Sequence, residues 1–188
     1  LGSRNGGCWY WNEGFGFRAV ESLMRVLVVM GSDSDLAQMT PTWVVLQSLG
    51  IGYEVKVASA HRSPERLVQI AQRAREDGFG VILAGAGGAA HLAGVMAAHT
   101  TLPVVAVPIA VGTLGGVDAL LSAVQMPGGV PIASVGIGGA RNAGLFAAAI
   151  LSASDPELTQ RLQRFRQEQS ESVLAADQRV QAQLKGNT

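Results

Sequence analysis

The sequence predicts an α/β chain built as a three-layer αβα sandwich, with a central parallel sheet and an extended C-terminal helix. From residue 24 onward short apolar runs alternate with helical stretches, strand then helix, repeatedly. Each run is short, apolar and bounded by Gly or Pro, and such runs fit a parallel sheet covered on both faces. The length of 188 residues suits one domain with a sizeable core.

The first strand is expected at 25–30 and the first helix at 34–49. Pro41 is discordant within that helix, because it removes a hydrogen bond there, and it predicts a kink or a late start at Thr40. The second strand, 53–58, is followed by a helix at 63–77 that opens with the hydroxyl of Ser63 as cap, Pro64 at its first position and Glu65 in its first turn. Strands at 80–84, 104–107 and 131–135 alternate with helices at 89–99, 117–125 and 140–154. This order is that of a doubly wound, flavodoxin-like sheet. A last helix over 155–185 carries its own start signal, Ser154-Asp155-Pro156-Glu157, in which Ser154 and Glu157 match a capping box. Leu158, Leu162 and Phe165 fall on one stripe, followed less regularly by Val173, Leu174, Val180 and Leu184. Packing against another subunit and a long surface helix both account for its length.

Residues 1–23 differ from the rest, mixing Gly with Trp9, Tyr10, Trp11, Phe15 and Phe17 without helical or strand period. They read as an appended or upstream-translated segment, with Met24 as the natural start of a single domain over 24–188; an aromatic arm packing on a partner chain is the alternative. Lys plus Arg balance Asp plus Glu at 14 each, so no basic field exists to hold a nucleic acid or an anionic membrane. No stretch reaches the roughly 18 apolar residues of a membrane span. Cys8 is the only cysteine, which excludes a disulfide framework or thiolate metal site within one chain and makes a cytoplasmic setting the default. A small-molecule partner is the expectation.

Four stretches carry candidate chemistry, and in a parallel sheet alternate loops converge on one edge. Ser59-Ala60-His61-Arg62-Ser63-Pro64 places an imidazole and a guanidinium where a strand hands over to a helix. Arg62 can offer a planar fork to phosphate and His61 can exchange a proton near neutral pH, although a salt-bridging Arg and an exposed loop His fit the same letters. Gly31-Ser32-Asp33-Ser34-Asp35 offers a tight turn, hydroxyls, and helix-start amides suited to phosphate or carboxylate, with Asp35 able to accept from sugar hydroxyls. Simple helix capping by Asp33 and Ser34 is the alternative. In Ala84-Gly85-Ala86-Gly87-Gly88-Ala89-Ala90-His91, Gly85, Gly87 and Ala90 match G-x-G-x-x-A. The acid required about 20 residues later for a dinucleotide ribose is missing, so nicotinamide binding is rejected. The small side chains suggest backbone brought close to a planar ligand, with His91 on the helix that follows; glycine packing and a capping His are the alternative. Last, Val124-Gln125-Met126-Pro127-Gly128-Gly129-Val130-Pro131 can line a pocket or simply be a core Met and a turn.

In order and spacing, these four stretches resemble the PurE family over about residues 24–170. The resemblance implies conversion of N5-carboxyaminoimidazole ribonucleotide to 4-carboxy-5-aminoimidazole ribonucleotide in purine synthesis. It implies a flavodoxin-like fold, a homo-octamer with sites shared between subunits, and neither metal nor organic cofactor. It also implies that Ser32, Asp35 and Arg62 bind substrate, with Asp35 towards ribose and Ser34 and Arg62 towards phosphate. Ser59 and the backbone of Ala86, Gly87 and Gly88 would line the aminoimidazole and carboxylate pocket. On this reading His61 is the proton shuttle, and His91 orients the substrate or polarises its carboxylate. The chain departs from the family pattern at Ala93, where Pro is common, and at Val135-Gly136-Ile137-Gly138-Gly139-Ala140-Arg141-Asn142-Ala143. The rival functions are direct carboxylation of aminoimidazole ribonucleotide by carbon dioxide, and a non-catalytic nucleotide-binding module.

Overall fold

The computed structural model describes residues 25–186; the expectation for residues 1–23 lies outside them. Strands β1 (Arg25–Met30), β2 (Gly52–Val57), β3 (Phe79–Gly87), β4 (Val104–Ile109) and β5 (Ala133–Ser134) form one parallel sheet in the order β2-β1-β3-β4-β5. Met30 pairs with Val57 on one side and Gly85 on the other. The chain therefore leaves β1, β2 and β3 near one edge, and the strand order reverses between β1 and β3. Ligand crevices of doubly wound sheets open at such a reversal.

Helices α1 (Leu36–Ser48), α2 (Pro64–Arg73), α3 (Leu92–Ala98), α4 (Val117–Val124), α5 (Ala140–Ser152) and α6 (Pro156–Gly186) surround the sheet. Alternation along β1 sorts them into layers. Val26, Val28 and Met30 pack with α1, α5 and the start of α6, whereas Leu27 and Val29 pack with α2, α3 and Ala123 of α4. Both faces of the central strands are thus dry, which is why β1 after Arg25, β3 and β4 read as apolar runs, whereas the edge strand β2 carries Glu54 and Lys56. On the first face α1 and α5 meet closely: the buried Thr42 hydroxyl donates to the Ala140 carbonyl at 3.0 Å.

Several boundaries differ from the sequence expectation. The third strand continues to Gly87 rather than stopping at residue 84, because Gly85, Ala86 and Gly87 pair with Val107, Pro108 and Ile109 of an equally lengthened β4. The fifth strand shrinks to two residues, since only Val105 and Ala106 of β4 face it. The late start at Thr40 does not occur. A 3₁₀ turn over Asp33–Asp35 leads into α1 at Leu36, and the helix passes through Pro41. Pro41 forfeits one hydrogen bond, while buried Met39, Thr42, Val45 and Leu46 hold the segment to the core. The second helix ends at Arg73 and the third begins at Leu92, both shorter than expected.

Two caps are also reassigned. Ser63 makes no side-chain cap to α2. At α6 the capping acceptor is Asp155, whose Oδ1 accepts from the amides of Glu157 and Leu158 at 2.9 and 3.1 Å, while Ser154 Oγ donates back to Leu151. Leu158 and Leu162 bury the root of α6, and Val173, Leu174, Val180 and Leu184 further along are exposed. Among the described residues no helix is long and apolar enough to cross a membrane.

Candidate active site

Beyond the end of β1 the Gly31 amide donates to the Gly85 carbonyl at 3.0 Å, tying the segment to β3 as it leaves the sheet. Ser32 then caps the 3₁₀ turn. Its Oγ accepts from the Ser34 amide at 3.3 Å and from the Ser34 hydroxyl at 2.9 Å, and its own amide donates to Asp35 Oδ2 at 3.0 Å. This reciprocal box aligns one carboxylate and two hydroxyls at the sheet edge. Asp35 is only 5% exposed. Burial raises its carboxyl above the ordinary value and the charge of Asp33 adds to this, while the Ser32 amide, the Ser34 hydroxyl and the Arg62 guanidinium act the other way.

The turn after β2 is organised by two serines. Ser59 Oγ accepts from the amides of His61 and Arg62 at 3.4 and 3.2 Å. The Ser63 hydroxyl bonds back to Ser59, accepting from its amide at 2.9 Å. Arg62 reaches across to β1, where Nη2 donates to the Gly31 carbonyl at 3.3 Å. Its fork is thereby brought beside the Ser32–Asp35 turn, next to amides that favour anions.

From the other side of the strand reversal come Ala86, Gly87 and His91. Gly88, with φ of +62°, turns the chain out of β3 in a backbone conformation suited to glycine. His91 stands immediately before α3 without capping it, and its Nδ1 lies 2.8 Å from His61 Nε2. A Cβ on Gly87 would run into Val111, which follows β4, so a glycine is needed for that wall to close.

These pieces enclose a cleft of about 410 Å³ lined by Ser32, Ser34, Asp35, Ser59, His61, Arg62, Ala86, Gly87 and His91. Of the expected site residues Gly88 does not line it, serving the turn instead. Met126 lies against Gly94 of α3 and is not part of the lining, so the fourth stretch contributes packing in this chain. Ala60, Ala89, Leu92 and Val111 line the cleft without having been picked out as candidates. Val111 is detectable by position alone, since it lies two residues past the C-terminal end of β4. Among the described residues no group of three or more His, Cys, Asp or Glu is gathered to hold a metal ion. A larger groove of about 830 Å³ lies between α1, α5 and α6, with Val44, Val45, Leu49 and Phe165 along it and Arg141, Arg161 and Arg164 beside them. It lacks the imidazoles and strand-end amides of the cleft.

The profile of the family described as AIR carboxylase matches residues 25–172. The chain is 48% identical over 157 residues to a protein of Thermotoga maritima named N5-carboxyaminoimidazole ribonucleotide mutase, covering 84% of this chain and 92% of that one. A Bacillus subtilis protein of the same name is 52% identical over 156 residues, covering 81% and 96%. The crystal structure of Treponema denticola PurE superposes with a TM-score of 0.76 at 26% identity, covering 82% of this chain and 97% of that one. The chain therefore belongs to the AIR carboxylase family.

Proposed function

We propose that this chain is an isomerase of purine synthesis that converts N5-carboxyaminoimidazole ribonucleotide to 4-carboxy-5-aminoimidazole ribonucleotide; relatives named N5-carboxyaminoimidazole ribonucleotide mutase support this reading. The observation that carries the reading is the single cleft in which His61, Arg62 and the Ser32–Asp35 turn meet. A guanidinium and helix-start amides suit a phosphate, a carboxylate suits ribose hydroxyls, and an imidazole suits proton transfer.

The chemistry follows from the substrate. Heterolysis of the bond between the exocyclic nitrogen and its carboxylate releases carbon dioxide and leaves the electron pair on nitrogen, which takes a proton. The electron-rich C4 then attacks carbon dioxide, and the C4 proton leaves to restore the aromatic ring. One proton is lent and one recovered, so a single acid–base group, His61, serves both steps. Ala86 and Gly87 keep the wall flat and the space small, holding carbon dioxide beside C4. Escape would turn recapture into a bimolecular event. Ser34 and Arg62 take the phosphate, with Ser32 beside them; Asp35 takes the ribose; Ser59 and the backbone of Ala86 and Gly87 line the ring and carboxylate pocket; His91 orients the carboxylate.

The exposed apolar side chains of the outer part of α6 and the groove beside its root support self-association, which we read as a homo-octamer with shared sites; a cytoplasmic setting is proposed with it. The function is tested by assaying purified protein on the two aminoimidazole ribonucleotides, N5-carboxylated and not, at low and high bicarbonate. Turnover of the N5-carboxylated compound at low bicarbonate is expected. Turnover only of the uncarboxylated compound with high bicarbonate would make the chain a direct carboxylase, and no turnover of either would leave a binding module.

A further inference from the structure

Where β4 ends, the backbone runs out of strand neighbours. Ile109 is the last residue to pair with β3, and β5 reaches only Ala106, so the amide and carbonyl of Ala110 have no ladder to join. A side chain of α1 supplies both partners. Gln38 Oε1 accepts from the Ala110 amide at 3.0 Å and Gln38 Nε2 donates to the Ala110 carbonyl at 3.1 Å, across 72 positions of sequence. Two bonds from one planar amide to one residue fix direction as well as distance, as a paired strand residue would. The next residue is Val111, which lines the cleft and packs so closely on Gly87 that a Cβ there would run into its methyl groups. The excursion returns at Gly116, where φ of +94° brings the chain back onto its own base, and a Cβ would stand 3.1 Å from Ala110 Cα. Residues 111–115 between these two points are exposed. Gln38 itself does not line the cleft.

We propose that Gln38 is a positioning residue for the mutase reaction: by pairing with Ala110 it holds Val111 against Gly87 and keeps shut the wall behind which carbon dioxide waits for C4. The proposal rests on the mutase reading, in which recapture of carbon dioxide competes with its escape. Gln38 touches neither the substrate nor the reacting atoms and acts only through the chain that follows β4. Val111 adds a branched side chain to a stretch of wall otherwise built from Ala86 and Gly87, so its placement decides whether that stretch is closed. Misplacement of a wall by about 1 Å can cost up to about a hundredfold in rate. Phosphate and ribose are held elsewhere, by Ser34, Arg62 and Asp35, and stay bound when the wall opens. A glutamine that only filled space could be replaced by any side chain of its length. One that holds Ala110 needs an acceptor and a donor side by side, which only an amide provides here.

The fate of the carboxyl carbon reads this out. The full chain turns over N5-carboxyaminoimidazole ribonucleotide labelled with carbon-13 in its carboxylate, in unlabelled bicarbonate, and mass spectrometry gives the fraction of label kept in the product. Wild type is expected to keep most of it. Gln38→Met matches the length of glutamine but offers neither bond, and Gln38→Glu keeps the acceptor while turning a second carboxylate oxygen towards the Ala110 carbonyl. Both are expected to lose most of the label to the medium, with kcat about tenfold to a hundredfold lower and KM little changed. In Val111→Ala the wall is already open, so adding Gln38→Met should cost little more, as for two residues acting on one contact. Label retention equal to wild type in both Gln38 variants overturns the proposal, and so does a loss that adds in full in the double variant. A raised KM with intact retention would place the effect in the neighbouring Asp35 turn and overturn it as well. Hydrogen exchange of peptides covering residues 110–116, measured without substrate, separates the two readings. Faster exchange there in Gln38→Met, at an unchanged melting temperature, upholds the clamp even if wild type turns over only the uncarboxylated compound, which would sink the mutase reading alone. Unchanged exchange alongside intact mutase turnover sinks the clamp alone.

Discussion

Ser63 and Ser59 clamp the turn that carries His61 and Arg62. The Ser59 amide donates to Ser63 Oγ at 2.9 Å, and the Ser63 amide donates to the Ser59 carbonyl at 3.0 Å. The Ser59 hydroxyl is then free to hold the His61 and Arg62 amides. Ser63→Ala removes the side-chain half of this clamp. The expected result is a stability loss of about 1–3 kcal/mol, because the hydroxyl both accepts from the Ser59 amide and donates to the Ser59 carbonyl. A fall of about tenfold in kcat/KM, equivalent to about 1.4 kcal/mol of lost positioning, should accompany it. Thermal unfolding and steady-state kinetics check both, and an unchanged kcat/KM would show that the turn holds its shape without the hydroxyl.

His61→Asn keeps a polar side chain of similar reach but removes the titratable ring. General acid–base groups contribute roughly 10²- to 10⁴-fold, and a loss of that size in kcat is expected. Binding of substrate, measured at equilibrium, should change little, because phosphate and ribose are held by other residues. A parallel collapse of affinity would instead make His61 a binding group.

The alternation of β1 and the order of strands and helices were legible because burial on two faces writes itself into the sequence as apolar runs. The ends of elements were less so. Ser63 sits before Pro64 exactly where a cap belongs, yet its hydroxyl is taken by Ser59, a choice set by the fold of the turn rather than by local preference. Gly85–Gly87 read as a loop because glycine weakens strands, but pairing with β4 overrides that preference. His61 and His91 were each visible as candidates; their contact was not, since it depends on how two turns cross the strand reversal. Val111 carries no chemistry in its side chain, and only its place after β4 marks it as a lining residue.

Asp35→Asn separates stability from function. Burial raises the Asp35 carboxyl above its ordinary value of 3.8, so the folded chain keeps this proton to higher pH than the unfolded chain. Between those two values the folded state binds more protons, and stability falls as pH rises through the window. Above it the destabilisation by an ionised, buried carboxylate is fully present; below the unfolded value it is absent. Asn can still accept from the Ser32 amide through its amide oxygen. The variant should therefore melt higher than wild type at pH 7 and lose this component of the acid-range dependence. Its KM should rise about tenfold or more, since a hydrogen bond to a charged acceptor is worth about 1.5–3 kcal/mol. A variant less stable than wild type at pH 7 would show that the ionised carboxylate is held favourably.

Gly144 of α5 tests the tight helix contact behind the site. A Cβ there would stand 2.9 Å from the Thr42 carbonyl oxygen and press on Val45. Gly144→Ala should destabilise the chain by about 1–3 kcal/mol, the usual range for overpacking. Adding Val45→Ala relieves only the side-chain half of the clash, so partial recovery is expected in a double-mutant cycle. Full recovery would locate the whole strain at Val45, and an unaltered melting temperature in the single variant would mean that α1 and α5 separate freely.

The outer part of α6 decides whether the assembly proposal stands. Val173, Leu174, Val180 and Leu184 are exposed although the root of the same helix is buried by Leu158 and Leu162. In a lone chain such side chains contribute little to folding, and substitutions at them change stability by only about 0.5 kcal/mol. In an assembly they would be buried, and burial of each is worth about 1.5–3 kcal/mol. Replacing all four with Glu should therefore leave the melting of the dissociated chain almost unchanged while shifting the mass measured by light scattering from an octamer to smaller species. Turnover should fall with the mass if sites are shared between subunits. A stable monomer of the unsubstituted chain at micromolar concentration would overturn the octamer, and full activity in a dissociated variant would show that each cleft is complete within one chain.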